Sequence, residues 1–289
     1  MHDYQSIIYV WGSTAHCALG CLDYKGKVQL VPRRLNPCCT RKISGGSAIQ
    51  VVAGNGFSTV VTDKWEAYSW GKGASADGKN GRGRSCGILP ANTKSCSIRN
   101  VRLQNESVLG IAHGTGTCAV TLNGDVYGWG ENTYGNLGDG DRPSNSKNDY
   151  GRQRFSAGSG GNEARRRFIA SPRKIVLGDN VSKTNSVACG EKHTCILKQN
   201  GVLVTMGAND AGQLGIGLSH NRHKDRNRVF NIIETIKRGP KMLNCVPFRE
   251  IACGNNHSAA ISSQDGSLYT WGWGKVLIVI ATTLLTRNR

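Results

Sequence analysis

The chain has 289 residues, of which 38% are hydrophobic and 19% charged, and it carries a formal net charge of +18. This composition excludes a disordered chain, and 38 glycines without a collagen-like period exclude a fibrous protein. Glycine at about twice its usual share instead predicts many tight turns, and therefore short β-strands.

The N-terminal segment and the cysteines bear on where the protein acts. Residues 1–11 lack the apolar core of a secretory signal, and no stretch reaches the roughly 18 to 20 apolar residues of a membrane-spanning helix. We therefore expect an intracellular protein, in the nucleus or the cytoplasm, without a membrane partner. The odd count of 11 cysteines predicts free thiols. Because no Cys-x-x-Cys occurs and the Cys38-Cys39 pair has no second pair at ligand spacing, we expect no metal site.

Four segments of the chain follow one pattern, which indicates an internal repeat. They begin at Val51, Ile111, Val187 and Ile251, and a fifth, partial copy occupies residues 7–12. The steps between corresponding residues are 59, 59, 77 and 65, typical of a propeller blade with long connectors. These steps are measured at the aromatic residue or methionine that precedes the last glycine of each copy, which is Trp11, Trp70, Trp129, Met206 or Trp271.

Each full copy predicts a β-hairpin, in which two short apolar strands flank a tight turn. Asn123-Gly124, Asn200-Gly201 and Asp265-Gly266 supply three of the turns, because such pairs readily take positive φ angles. The first full copy has Asp63-Lys64 at this place, which is a weaker turn. Glycine-rich corners follow the next two copies, at residues 131–138 and 209–215.

The repeat has a recognisable order of residues: Ala-x-Gly-x-x-His-Ser/Thr, then Asn/Asp-Gly, then a strand ending in Trp-Gly, then Asn-x-x-Gly-Gln-Leu-Gly. This order resembles the repeat of the regulator of chromosome condensation family, whose fold is a seven-bladed β-propeller. The resemblance covers residues 7–274 discontinuously and is most specific in the copy from Val187. It implies an all-β fold with about four to five blades of an expected seven, within residues 1–274.

The C-terminal segment 275–289 departs from the repeat, because an apolar run stands where the glycine-rich corner belongs. This run is too short to span a bilayer. We interpret it as the result of truncation or mis-splicing; the rival interpretation is a hydrophobic tail that docks on the propeller.

Positive charge is concentrated in the connectors between the repeats. Segments 72–102, 139–175 and 218–249 carry +6, +5 and +6, which is nearly all of the net +18. In a propeller such connectors lie at the faces or the rim, so they predict a binding surface for an acidic protein, a nucleic acid or a nucleosome. The alternative is that they are solvated loops without a partner. The candidate binding residues are Arg165, Arg166, Arg167, Arg173, Lys174, Arg222, Lys224, Arg226 and Arg228.

Residues that often perform chemistry recur here with the repeat. His193 and His257 share one repeat position, so each is interpreted as a histidine hydrogen-bonded within its own hairpin. The repeated cysteines are interpreted as small strand residues and the repeated tryptophans as packing residues, leaving Trp65 and Trp273 free to face a partner. No acid–base pair, nucleophile, phosphate loop or cofactor site stands out, which predicts a protein without enzymatic chemistry, cofactor or small-molecule substrate.

The predicted function is a protein-interaction scaffold, with chromatin as one class of partner. The resemblance implies an alternative, which is guanine-nucleotide exchange on a Ran-type small GTPase. Such exchange needs no acid, base or metal of the catalyst, so the sequence does not reveal it. Light sensing by an ultraviolet-B receptor of the same fold would require extra tryptophans and a Gly-Trp-Arg-His-Thr motif, and the sequence has neither.

Overall fold

All regular secondary structure in the described part of the chain is β-strand. The computed structural model contains sixteen strands and no helix in its described part, which confirms the predicted all-β class. No helix with the length and hydropathy of a membrane span occurs in that part. The structure describes residues 7–13, 18–20, 28–35, 43, 46–54, 56–71, 98–101, 103–132, 134–138, 168–177, 182–215 and 246–273. Segment 275–289, with its truncation or tail interpretations, lies outside these residues.

The strands form five small antiparallel sheets, numbered here in chain order. Sheet 1 consists of β1 (Tyr9–Ser13) and β2 (Val28–Arg34). Sheet 2 consists, in spatial order, of β3 (Ala48–Ala53), β4 (Phe57–Thr62), β5 (Ala67–Gly71) and β6 (Arg99–Asn100). Sheet 3 consists of β7 (Val108–His113), β8 (Gly116–Thr121), β9 (Val126–Glu131) and β10 (Phe168–Ile175).

The last two sheets have three strands each. Sheet 4 consists of β11 (Thr184–Cys189), β12 (His193–Lys198) and β13 (Leu203–Gly207). Sheet 5 consists of β14 (Phe248–Cys253), β15 (His257–Ser262) and β16 (Leu268–Gly272). In each of sheets 2 to 5 we call the first three strands in chain order the inner, middle and outer strand of one repeat; in sheets 2 and 3 a fourth strand lies beyond the outer one.

The chain divides into two compact units. Unit 1 comprises Met1–Thr133 and Gly160–Ile175, and it contains sheets 1, 2 and 3. Unit 2 comprises Tyr134–Ser159 and Val176–Arg289, and it contains sheets 4 and 5.

The predicted hairpins are confirmed, since the middle and outer strands of sheets 2 to 5 pair as adjacent antiparallel strands. Gly124, Gly201 and Gly266 take φ angles of 85°, 82° and 74° in the turns. The turn of sheet 2 has no glycine, and there Trp65 takes the left-handed conformation, with φ of 61°.

The core is divided into layers between consecutive sheets. Sheets 1 and 2 contribute Ile8, Val10, Leu19, Leu35, Val60, Tyr68, Trp70 and Ile98 to one layer. Sheets 2 and 3 contribute Val61, Ala67, Val101, Leu103, Val108, Ile111, Ala119, Tyr127 and Trp129 to another. In unit 2 the layer of buried residues consists of Leu197, Phe248 and Ala260, with Leu203, Val246, Ile251, Tyr269 and Trp271 packed against it. Each sheet therefore depends on a neighbour to bury its apolar face.

The repeated tryptophans differ in burial, so their interpretation as packing residues is only partly right. Trp70 and Trp129 are fully buried, and Trp70 packs against side chains of the preceding sheet. Trp11, in contrast, is 60% exposed. The physical reason is its position in sheet 1, which has no preceding sheet among the described residues. Trp65 and Trp273, expected at the surface, are 37% and 79% exposed.

The glycine that ends the outer strand of sheets 2, 4 and 5 is required by both conformation and space. Gly71, Gly207 and Gly272 have φ angles of 110°, 112° and 121°, which residues with a side chain rarely adopt. A Cβ atom on Gly207 would lie 2.4 Å from the carbonyl oxygen of Lys192 on the adjacent chain segment. The recurring Trp-Gly or Met-Gly of the repeat therefore marks a close approach between the outer strand and the start of the middle strand.

A corner carbonyl joins sheet 1 to sheet 2. The carbonyl oxygen of Ala18 accepts hydrogen bonds from the Ser58 hydroxyl at 2.9 Å and from the Trp70 indole N–H at 3.0 Å. Residues 18–20 are thus the corner of the first, partial repeat. This corner was not predicted, because it ends in Ala-Leu-Gly where the recognised corner ends in Gln-Leu-Gly or Asn-Leu-Gly.

The same bond pattern recurs in unit 2. The carbonyl oxygen of Gln213 accepts from the Ser258 hydroxyl at 2.8 Å and from the Trp271 indole N–H at 2.9 Å. The carbonyl oxygen of Asn136 accepts from the Thr194 hydroxyl at 2.7 Å. The corner that follows one repeat in sequence therefore binds to the sheet of the next repeat.

A histidine forms a further link between sheets 2 and 3. Nε2 of His113 lies 2.8 Å from the Thr59 hydroxyl and Nδ1 lies 3.0 Å from the Thr117 hydroxyl. The His113 ring also meets the Phe57 ring edge to face, with ring centroids 4.4 Å apart. Burial disfavours the charged imidazolium and lowers the pKa of His113 to about 3.

The Gly207→Ala substitution is expected to destabilise unit 2 by about 3 kcal/mol or more, because it combines a disfavoured φ with a collision against Lys192. Gly212→Ala is the matched control. Gly212 has φ of 80°, but a Cβ atom there would meet only open space, so its cost is about 1 kcal/mol. Thermal unfolding followed by circular dichroism measures both. Equal losses of stability in the two variants would contradict the proposed steric requirement.

Neutral His113 is expected to make unit 1 less stable as the medium becomes acidic. The unfolded histidine binds a proton below about pH 6.5, whereas the folded one stays neutral down to about pH 3. The unfolded state therefore binds more protons in this window, and stability falls as pH drops through it, by at most about 1.4 kcal/mol per pH unit. Urea unfolding between pH 7.5 and 5 compares the wild type with His113→Gln, which should lack this component. Parallel pH profiles for the two proteins would refute it.

Candidate functional site

Two of the predicted binding residues lie on β10, the edge strand of sheet 3. The side chains of Arg173 and Lys174 are both exposed. The ammonium group of Lys174 donates a hydrogen bond of 2.6 Å to the Asp125 carboxylate, and this bond raises the pKa of Lys174. Lys174 is therefore paired with an acidic residue of its own sheet, and its role as a binding residue stays a prediction.

The other predicted binding residues, namely Arg165, Arg166, Arg167, Arg222, Lys224, Arg226 and Arg228, lie outside the described residues. Their role stays a prediction. The connector that contains the arginine triplet ends where β10 begins, at Phe168. Residues 165–167 directly precede β10, which pairs only with β9 and so forms an edge of sheet 3 among the described strands.

A second group of side chains meets between sheets 4 and 5. His193 is the first residue and Cys195 the third residue of the middle strand β12, and Cys253 is the last residue of the inner strand β14. A ring nitrogen of His193 and the two sulfur atoms all lie within 4.8 Å of one another. His193 and Cys195 are buried, while Cys253 is partly exposed.

The hydrogen bonds of His193 identify which of its nitrogens carries the proton. The Ser258 hydroxyl donates its one proton to the Gln213 carbonyl, so it accepts from Nε2–H of His193 at 2.9 Å. Nδ1 is then the nitrogen with the lone pair, and it is buried without a hydrogen-bond partner. An unsatisfied buried polar atom of this kind costs about 1–3 kcal/mol.

This arrangement corrects the interpretation of His193. The ring was expected to form its hydrogen bond within its own hairpin, yet its partner Ser258 belongs to β15 of the neighbouring sheet. The reason is the direction of the ring, which lies over Gly190, where a Cβ atom would come within 2.4 Å of Nδ1. The glycine of the Gly-x-x-His motif therefore provides the space for the ring. His257, its repeat equivalent, lies over Gly254 in the same way but is exposed.

The protonation of this group follows from burial and from contacts within it. Desolvation, followed by the repulsion of His257, lowers the pKa of His193 to about 4, so its imidazole is neutral near pH 7. The hydrogen bond with Cys195 and then burial raise the pKa of the Cys253 thiol. The group therefore contains a neutral imidazole and a protonated Cys253 thiol at neutral pH.

The same position between sheets 2 and 3 is filled by different side chains. There Phe57 is the first and Thr59 the third residue of the middle strand, and His113 ends the inner strand of the next sheet. The position is thus a contact that occurs once in each unit, and the sulfur atoms distinguish the copy between sheets 4 and 5. Sequence spacing did not reveal the group, because Cys195 and Cys253 are far apart in the chain and align with different repeat positions.

The comparisons with known proteins agree with this architecture. A family model for the regulator of chromosome condensation (RCC1) repeat matches residues 123–197 and 200–261. A second model of the same repeat matches residues 185–213 and 248–275.

Curated relatives and a solved structure extend the likeness over most of the chain. The guanine nucleotide exchange factor SRM1 of Saccharomyces cerevisiae is 26% identical over 277 residues, with 94% of this chain and 50% of that protein covered. The ultraviolet-B receptor UVR8 of Arabidopsis thaliana is 30% identical over 239 residues, with 83% of this chain and 44% of that protein covered. The chain thus spans about half the length of these relatives.

The crystal structure of Prp20p from Saccharomyces cerevisiae matches with a TM-score of 0.62 at 22% identity, covering 94% of this chain and 55% of that one. This likeness supports the fold and, with the repeat pattern and the layered sheets, identifies each sheet as a propeller blade. The chain belongs to the regulator of chromosome condensation repeat family.

Proposed function

We propose that this chain is an interaction scaffold, in which propeller blades hold basic connectors that bind an acidic partner such as a nucleosome. The observation that carries the proposal is the distribution of charge. Three connectors account for nearly all of the net +18, while the segment 103–138, which forms most of sheet 3, is slightly acidic. Charge concentrated in this way favours phosphate or carboxylate binding over a general effect on solubility.

The position of β10 makes the connector that ends there the first one to test. Its arginine triplet, Arg165 to Arg167, directly precedes the edge strand β10 in the sequence. The next basic residue, Arg173, lies on β10 and is exposed. Lys174 contributes less, because Asp125 binds its ammonium group. The strongest positive charge of this connector is therefore expected at the start of β10.

Guanine-nucleotide exchange on a Ran-type GTPase is the second candidate. A specific observation favours it, namely the alignment of 94% of this chain with a yeast exchange factor. Prp20p has binding properties toward Gsp1p and histones, so both candidate partner classes are represented among the proteins similar to this chain. Exchange would require residues of the blades or the connectors to displace the phosphate-binding elements of the GTPase.

Replacing Arg165, Arg166 and Arg167 by serine is expected to weaken binding to reconstituted nucleosomes at about 0.15 M salt. The dependence of log K on log salt should become shallower by about 0.9 for each phosphate that the variant no longer binds. Fluorescence anisotropy with nucleosomes and with free DNA of the same length measures both quantities. Arg33, Arg34 and Lys64, which are exposed on sheets 1 and 2, provide a control triple substitution with the same change of charge.

Equal loss of affinity in the two triple variants would show that only net charge matters and would refute a site at the connector. Nucleosome binding that is retained by both variants would also refute it.

The release of labelled GDP from a Ran-type GTPase separates the two candidate functions. The scaffold proposal expects nucleosome binding without faster nucleotide release. Acceleration that depends on the concentration of this chain would instead establish the exchange activity.

A further inference from the structure

We propose that His193, Cys195 and Cys253 bind a Zn²⁺ ion between sheets 4 and 5. Their three ligand atoms lie within 4.8 Å of one another. Tetrahedral zinc, with Zn–S bonds of about 2.3 Å and Zn–N bonds of about 2.0 Å, places its ligand atoms about 3.5–3.8 Å apart, and a water molecule would take the fourth position beside the three protein ligands. Because 4.8 Å is the upper limit of the present spacing, side-chain rotation would have to bring the ligand atoms closer by at most about 1.3 Å.

The charges of the ligands select a divalent ion. Metal binding requires both thiols to lose their protons, and the imidazole binds in its neutral form. Two thiolates and one imidazole carry a charge of −2, which a Zn²⁺ ion cancels. Because His193 and Cys195 are buried, a neutral assembly avoids the cost of an isolated charge in a poorly solvated place. A monovalent copper ion would leave one negative charge uncompensated.

The atom types agree with the same ion. Cysteine sulfur and histidine nitrogen are the ligands that structural and catalytic zinc sites use most. One nitrogen of the His193 ring already has no hydrogen-bond partner, and the ring is held by Ser258, which is bonded in turn to Gln213. A hydrogen bond from the other ring nitrogen, such as the one to Ser258, orients a metal-binding histidine. Among the described residues, this is the one group of three or more His, Cys, Asp or Glu side chains with such spacing.

The position between two blades gives the ion a structural role. β12 supplies two of its ligands and β14 supplies the third, and these strands belong to different hydrogen-bonded sheets. A bound ion would therefore cross-link adjacent sheets that are also joined by two backbone hydrogen bonds, from Glu191 N–H to the Asn255 carbonyl and from Phe248 N–H to the Gly201 carbonyl. The equivalent place between sheets 2 and 3 contains Phe57, Thr59 and His113, which lack sulfur ligands.

Cobalt(II) titration of the reduced, metal-free chain tests the site. Cobalt in a thiolate site gives a sulfur-to-metal charge-transfer band and visible ligand-field bands. We expect these bands in the wild type and in Cys118→Ala, and their loss in Cys195→Ala and His193→Gln. Cys118 is the matched control, because it is a buried cysteine at the same strand position as Cys195. Zinc should displace the cobalt, with affinity at least about 100-fold lower in Cys195→Ala than in Cys118→Ala.

A second test measures melting temperatures, because substitution of the buried Cys195 or His193 can prevent folding. The conservative variant Cys253→Ser changes a partly exposed residue, and its metal-free melting temperature reports whether it folds. Zinc should raise the melting temperature of the wild type and Cys118→Ala but leave that of folded Cys253→Ser unchanged. Equal cobalt spectra for the wild type and Cys253→Ser would overturn the proposal, as would a reduced wild type that binds no metal. Formation of a Cys195–Cys253 disulfide under oxidant without metal binding under reducing conditions would likewise overturn it.

Discussion

Short strands impose one constraint on this protein, which is that a sheet of three or four of them cannot bury its apolar faces alone. Among the described residues, the layers of core side chains lie between sheets 1 and 2, between sheets 2 and 3, and between sheets 4 and 5, and each draws on both of its sheets. Trp70 shows the dependence most directly. Its indole ring packs against side chains of sheet 1 while its N–H donates to the Ala18 carbonyl of the preceding corner. Apolar burial and hydrogen bonding thus tie the same residue to the neighbouring sheet.

The contact between the start of one middle strand and the end of the next inner strand shows how such a fold acquires specific chemistry. Backbone geometry brings the same three positions together in both units, so side chains there are close to one another whatever their identity. Between sheets 2 and 3 the result is an aromatic contact and a neutral histidine with two hydroxyl partners. Between sheets 4 and 5 it is a cluster of imidazole and thiols. A few substitutions at fixed positions are enough to turn a packing contact into a group of ligands.

Local patterns in the sequence predicted the local structure well. Asn-Gly and Asp-Gly marked the hairpin turns because these pairs tolerate positive φ, and the Trp-Gly repeat located the outer strands. Contacts between repeats were less predictable. The 18–20 corner has Ala18 where the other two corners have Asn136 or Gln213, so its sequence does not resemble theirs. The bond to the next sheet is nevertheless the same, because the backbone carbonyl at this position accepts it in all three. Trp11 is exposed because its sheet has no preceding sheet among the described residues, which the repeat pattern does not reveal. The contact of Cys195 with Cys253 depends on which two sheets are neighbours in space. The predicted basic residues are mostly connector residues, whose position no local pattern specifies.

The association of each corner with the following sheet means that the sequence repeat and the folded module are out of phase. Residues 134–138 follow β9 in the chain, yet the Asn136 carbonyl accepts its hydrogen bond from Thr194, and this segment belongs to unit 2. A domain boundary drawn after the Asn-Leu-Gly that completes the repeat would leave sheet 4 without that acceptor. A boundary drawn directly after β9 keeps the corner with the sheet that binds it. For any shuffling of blades, in evolution or in the laboratory, the heritable unit is therefore a corner together with the hairpin that comes after it.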